Sequence, residues 1–368
     1  MEVYLDNAAT TKVADEVLSA MLPYLTVHYG NPSSMHSFGK VSSDAIEKAR
    51  AIIAESIHAL SSELIFTSGG TESNNIAIQG VMKKSKNKHI ITTAIEHSSI
   101  LACCKQLETE GHEVTYLPVD KEGFVDPEKI KSKIKSTTVL ISVHHANNEI
   151  GTIQDILSIG KIAREHSIYF HVDAVQSFTK TPIDVASLPI DLMSISAHKI
   201  HGPKGVGGLF VRKGIKLYPL HIGGDQEFGI RPGTENVPGI VGFGRAIKLS
   251  KSTYNHQMEK LRNYFITALQ KIPGVEMNGS LQYRLCNNIN ISFSQVGEQA
   301  LLLLNGQGIY ASTGSACGSG KPSHVLQAIG QRKKGSLRFS LSRFTTKEEI
   351  DYTIKHLNYI LGNEKKGG

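Results

Sequence analysis

The stretch Ser194–Gly205, "SISAHKIHGPKG", sets the problem. An apolar run, "DLMSIS", ends in a lysine, Lys199, flanked by His198 and His201. A Gly/Pro-rich turn follows, and then a second apolar run, "GVGGLFVRK". Short apolar runs bounded by turn residues read as buried strands. Lys199 therefore stands at a strand end, either as a surface side chain on an apolar stem or as a chemical handle.

Outward from that point, strand-like and helix-like segments alternate from about residue 50. "ELIFTSGG" is a strand entering a glycine turn, and "TESNNIAIQGVMKK" is a helix. "KHIITTAIEH", "HEVTYLPV", "TTVLISVHHANNEIG" and "IYFHVDAVQS" are strands. "AIEKARAIIAESIHAL", "SSILACCKQLETEG" and "DILSIGKIAREHS" have helical spacing. Strands bounded by helices predict a mostly parallel sheet covered on both faces. After about residue 250 the texture changes. "QMEKLRNYFITALQKI" and "EQALLLLNGQG" are helical, while "NNINISFS" and "SLRFSLSRF" alternate. The expectation is a large α/β domain over 15–250 and a smaller α+β domain formed by 1–14 and 251–368.

Composition narrows the class. The 368 residues are 40% hydrophobic and 20% charged, with a net charge of +7. The basic residues are mostly interspersed, which fits a solvated face or a docking surface for an acidic protein or a phosphorylated cofactor. A basic stripe interleaved with aromatics is missing, so no direct nucleic-acid role is expected. Four cysteines without a CxxC pair point to a reducing, cytoplasmic setting. "MEVYLDNAATT" reads as no signal peptide, and no apolar run reaches a membrane span.

In an open α/β sheet, ligands sit at the carboxyl ends of strands. "ELIFT" delivers Ser68, Gly69, Gly70 and Thr71 and then starts a helix, an arrangement that suits an anion. "HIITTAIEH" delivers Glu96 and His97. "IYFHVDAVQ" delivers Asp173 and Gln176. "LMSISAHK" delivers Ser196, His198 and Lys199. Each has a plain alternative: a turn with Thr71 as cap, a structural His97, a capping Asp173, a surface Lys199. Together they match the needs of pyridoxal 5'-phosphate (PLP): an anion site, a lysine for a Schiff base, and a carboxylate beside the pyridine nitrogen. "GPKGVGG" lacks the strand–GxGxxG–helix context of a dinucleotide site.

The motifs "YLDNAATT", "GNPSSMHSFG", "FTSGGTESNN", "EHSSI", "HANNEIGTIQ", "HVDAVQ", "SAHKIHGPKGVG", "RPGTEN", "STGSACGSG" and "LRFSLSRFTT" span nearly the whole chain. With them the sequence resembles the cysteine desulfurases of the nitrogenase and iron–sulfur-cluster type, in class V of the aminotransferase superfamily, PLP fold type I. The resemblance implies that Lys199 binds the cofactor covalently, Asp173 pairs with its ring nitrogen and Gln176 contacts its phenolic oxygen. His97 would stack on the ring and shuttle protons. Gly70, Thr71, Ser196 and His198 would hold the phosphate. Thr234 would reach the phosphate of the neighbouring subunit, making a homodimer part of the site. Asn148 and Arg338 would bind the carboxylate of L-cysteine, Asn148 also contacting the cofactor, and a guanidinium fork suits the carboxylate.

Cys317, in "STGSACGSGKPSH", then names the reaction: its Ser/Gly-rich flanks suit a mobile loop whose thiolate takes sulfur from substrate cysteine. Sulfur-acceptor or scaffold proteins are the implied partners. No resident metal is implied, beyond a nascent cluster that Cys317 would touch in transit. "GSGKPSHVL" and "QAIGQRKKGSLRFS" are shorter than the family's pattern, which shortens the reach of the Cys317 loop. The competing readings are a selenocysteine lyase or other class V PLP enzyme, and a non-catalytic sulfur-relay scaffold.

Overall fold

The chain is described here from a computed structural model, over residues 1–83, 88–294, 296–297, 299–313, 323–333 and 335–362. Cys317 lies outside these residues. Seven strands form the large sheet, in the order Leu64–Thr67, Gly207–Val211, Leu192–Ser196, Tyr169–Asp173, Thr138–His144, His89–Thr93, Glu113–Leu117. Gly207–Val211 runs antiparallel to both neighbours, and the other contacts in the sheet are parallel. The parallel strands are near-continuous apolar runs because helices cover both faces. One core lies beneath Ile53, Phe170, Phe210 and Phe243. Another lies on Ile76, Ile90, Cys104 and Leu192.

Two helices need explanation beyond periodicity. The helix Ser37–Glu55 starts earlier than its apolar pattern, because His36 caps it, accepting from Gly39 N–H at 3.2 Å. The helix Val237–Leu249 contains three glycines, which lower intrinsic helix propensity. It forms because Asn236 caps it and Pro238 occupies its first turn. The glycines also let it approach the Ser37–Glu55 helix: a Cβ on Gly244 would stand 3.0 Å from Ala49 Cβ.

The C-terminal part holds a three-stranded antiparallel sheet, Gly335–Ser340 beside Asn288–Phe293 beside Glu276–Met277. The N-terminus joins it. Val3–Tyr4 pairs with Ile309–Tyr310, and Val3 and Leu5 lie in the same core as Phe265, Phe293 and Phe339. Among the described residues no helix is long and apolar enough to cross a membrane.

A buried ion pair pins the strand that leads into the glycine turn. Arg50 donates to Glu227 at 2.9 and 2.7 Å and to the Leu64 carbonyl at 2.8 Å. Glu227 also accepts from Phe66 N–H at 2.6 Å, and both side chains are almost fully buried. Arg50 also reaches the exposed Glu47 at 3.0 Å, but losing Glu227 leaves the buried end of the guanidinium and the Phe66 N–H without their acceptor, and breaking a buried pair costs about 3–5 kcal/mol. Glu227→Met is therefore expected to lower the chemical-denaturation midpoint sharply. Arg50→Met/Glu227→Met should recover most of that loss. A Glu227→Met variant as stable as the parent would show that the pair holds nothing in place.

Candidate active site

The strand ends converge as the topology requires. Thr67, His144, Asp173 and Ser196 are the last residues of four strands of one sheet. Beside them lies a cavity of about 330 Å³ lined by, among others, Gly70, His97, Asn148, Asp173, Lys199 and Arg338.

The anion end begins at Gly69, whose φ of +152° favours glycine, and it continues into the helix Gly70–Met82. A Cβ on Gly70 would come 2.6 Å from Val175, so the close packing there admits only glycine. The Ser196 hydroxyl is buried with no partner among the described residues, directly below Gly69. A buried hydroxyl without a partner is costly, and an anion at the helix N-terminus would satisfy it. His198 Nδ1 sits 3.2 Å from Thr10 Oγ1. Burial, with Lys199 and Lys204 nearby, lowers its pKa to about 4. Thr71 is exposed at the start of the helix.

Asp173 is buried and doubly held: Oδ1 accepts from Val175 N–H at 3.0 Å and Oδ2 from Asn74 Nδ2 at 2.8 Å. Asn74 also reaches Ser99 Oγ at 2.9 Å. Ser99 connects to His97, which caps its helix by accepting Ser99 N–H on Nδ1 at 3.2 Å. The proton of the neutral ring therefore resides on Nε2. Part of the His97 ring faces solvent, yet its packed side is desolvated enough to lower its pKa. Gln176 donates to the Ala8 carbonyl at 3.0 Å.

Lys199 completes the cluster. Its Nζ donates to the Ala8 and Ala9 carbonyls at 2.6 and 2.7 Å. Burial lowers its pKa to about 7, with Arg338 and Lys180 adding to the effect. An amine of that basicity is substantially unprotonated at neutral pH, as addition to an aldehyde requires. Anion cradle, buried carboxylate, His97 and a weakly basic amine line one cavity, so the residues present fit PLP.

Arg338 is almost fully buried on the Gly335–Ser340 strand. It donates to Asp6 Oδ1 at 2.7 Å and to the Asn148 carbonyl at 3.1 Å. The sequence reading missed Asp6, which already sits on the fork expected to receive a substrate carboxylate. It also missed Asn74, the Ala8 and Ala9 carbonyls, and His144 beside Glu96. Asp6, Ala8 and Ala9 were visible inside "YLDNAATT" and Asn74 inside "TESNN", but nothing local assigns them partners. Thr234 is exposed and outside this cavity, in a separate cleft with Ser68, Glu72 and Arg231. Cys103, Cys104 and Cys286 are buried, and burial raises all three thiol pKa values, those of Cys103 and Cys286 to about 11.

Comparisons with known proteins agree with this chemistry. The aminotransferase class-V family matches residues 3–353. A cysteine desulfurase IscS from Dictyoglomus turgidum is 53% identical, over 98% of this chain and 94% of that protein. Among solved structures, a NifS-like protein superposes with a TM-score of 0.93 at 40% identity, covering 98% of this chain and 99% of that one. A second, SspA in complex with cysteine, gives 0.85 at 38% identity, covering 94% and 100%. The chain belongs to the aminotransferase class-V family, on its cysteine desulfurase branch.

Proposed function

We infer that the residues gathered around Lys199 remove sulfur from L-cysteine and pass it to Cys317. The chain is a PLP-dependent cysteine desulfurase. The observation that carries the residue assignment is the buried Lys199 amine, low in basicity, sharing one cavity with Asp173 and the glycine-bounded anion cradle.

Bound PLP supplies an electron sink for the electron pair released at the substrate's Cα. Lys199 holds the group and, as a base near neutrality, takes up the Cα proton at Nζ. Asp173, oriented by Asn74 and Val175 N–H, offers its carboxylate to the ring nitrogen. His97 covers the ring and carries a transferable proton at Nε2. Ser196, His198, Gly70 and Thr71 hold the phosphate. Arg338 and Asn148 orient the substrate carboxylate, with Asp6 fixing the guanidinium. Cys317 attacks the substrate sulfur as the thiolate: an S–S bond forms, the C–S bond breaks, and the carbon takes a proton to leave as L-alanine. The products are alanine and a persulfide on Cys317, balanced against one thiol and one cysteine.

Residues 15–250 form the cofactor-holding part in this reading, and 1–14 with 251–368 carry Cys317. Thr234 serves the neighbouring subunit of a homodimer. Its position outside the cavity of its own chain supports that role. So do the exposed apolar Leu22, Leu25, Met35 and Phe38, a face a second copy would cover. The setting is cytoplasmic, and the sulfur goes to acceptor proteins for iron–sulfur clusters or other thiolation.

Two measurements test this. Uptake of PLP by the apo chain needs the free Lys199 amine. The initial rate of visible-band formation should rise with pH through about 7, the value its burial sets, and level off above it. A rise centred on an ordinary lysine's range near ~10 would remove Lys199 from the role. Cys317→Ser should keep PLP binding but lose persulfide and sulfide release by at least ~100-fold, since a hydroxyl is a poor nucleophile toward sulfur. Persulfide found by mass spectrometry on Cys103, Cys104 or Cys286 would contradict the burial that raises their pKa values.

A further inference from the structure

Three buried ionisable groups stand in a row at the carboxyl edge of the large sheet, and only Asp173 has a part in the reading above. Asp173 pairs in register with His144, the last residue of the neighbouring parallel strand. In-register neighbours in a sheet lie about 4.8 Å apart with side chains on the same face. His144 in turn holds Glu96. Its Nδ1 lies 3.1 Å from Glu96 Oε2, and its backbone N–H donates to the same oxygen at 2.9 Å. Thr93 Oγ1 donates to Oε1 at 2.6 Å. Glu96 is 0% exposed, His144 3% and Asp173 6%. His144 lines the cofactor cavity, and its Nε2 is buried with no partner among the described residues.

Charge decides what such a row can be. With a neutral imidazole, the buried Glu96 would face an uncharged partner, and a buried charge without a charged partner is costly. With an imidazolium between them the trio carries one net negative charge, and each carboxylate keeps a cationic neighbour. Burial works against the charge on His144, but Glu96 and then Asp173 outweigh it and raise its pKa. The other histidines at this edge go the opposite way. Burial lowers His145 and His171 to about 4, His144 itself contributing to the first, and it also lowers His97.

We propose that His144, held by Glu96, is a positioning residue for Asp173, its imidazolium placing a positive charge beside the carboxylate that is read to meet the ring nitrogen of bound PLP. This rests on the PLP reading above. Since the folded-state pKa of His144 is raised above its ordinary 6.5, the support is complete below that value. It is lost as pH rises through the raised value, so Asp173 loses its cationic neighbour on the alkaline side.

The test separates charge from packing. Nitrogen NMR of the histidine-labelled apo chain, followed across pH, should show the His144 ring losing its second proton only above the ordinary histidine value of about 6.5, the signals being assigned by their loss in His144→Met. A His144 ring that is already neutral at that pH overturns the proposal. In a double-mutant cycle read by PLP dissociation constants, His144→Met should weaken binding at least ~10-fold, because two buried carboxylates are left without the cation. Glu96→Gln/His144→Met should recover to within ~3-fold of the parent, because the buried Glu96 charge is gone with its partner. A double variant as weak as the single one means His144 only fills space, and the proposal fails. If the parent chain itself takes up no PLP, the cofactor reading falls, while the apo-chain NMR still decides the charge on His144.

Discussion

Parallel strands of one sheet all end at the same edge, and this constraint organises the rest of the molecule. Thr67, His144, Asp173 and Ser196 are far apart in the chain, yet each is the last residue of its strand. The helix Gly70–Met82 begins there too, directly after the Leu64–Thr67 strand, and its first N–H groups have no partner within the helix. Four chemically different side chains therefore stand along one sheet edge without any of them being close in sequence. The antiparallel strand Gly207–Val211 closes the sheet between Leu64–Thr67 and Leu192–Ser196. It brings the Ser196 hydroxyl under Gly69.

Desolvation then turns placement into reactivity. Lys199 has backbone carbonyls for partners and, among the described residues, no carboxylate within hydrogen-bond distance, so burial depresses its proton affinity. Asp173 instead accepts hydrogen bonds from Asn74 and from Val175 N–H. One strand edge thus holds a carboxylate oriented by donors and an amine drawn toward the unprotonated state that PLP chemistry uses. The same physics raises the thiol pKa values of Cys103, Cys104 and Cys286, burial outweighing the Lys180 and Arg262 charges near Cys286.

The C-terminal part closes the site from the other side. Arg338 arrives from the Gly335–Ser340 strand and meets Asp6, which the N-terminal segment brings by packing Val3 and Leu5 into that part's core. Ser312 pairs with the backbone of Arg338, and Ser323 donates to the Glu149 carboxylate. His324 donates to the Glu96 carbonyl at 3.0 Å. The residues flanking 314–322 are thus tied to Arg338, to Glu149 beside Asn148, and to Glu96 beside His97.

Much of this was legible in the chain order. Apolar runs of four to eight residues separated by helical patterns dictate a parallel sheet, because their backbone groups and side chains can be satisfied together in few other ways. The polar residues that end those runs, Asp173, Ser196 and Lys199 among them, then name the candidate chemistry. Partners separated by long stretches of chain were not legible: Asn74 on Asp173, Asp6 on Arg338, Ala8 and Ala9 on the Lys199 amine, Glu96 on His144. A hydrogen bond or an ion pair leaves no periodic signature in sequence, since its energy depends on distance and on exclusion of water. The sequence by itself determined which side chains end the strands and so which reaction they could serve. Only the tertiary structure decided their protonation, because the desolvation and neighbouring charges that set it exist only once the strands, the N-terminal segment and the C-terminal sheet have packed together.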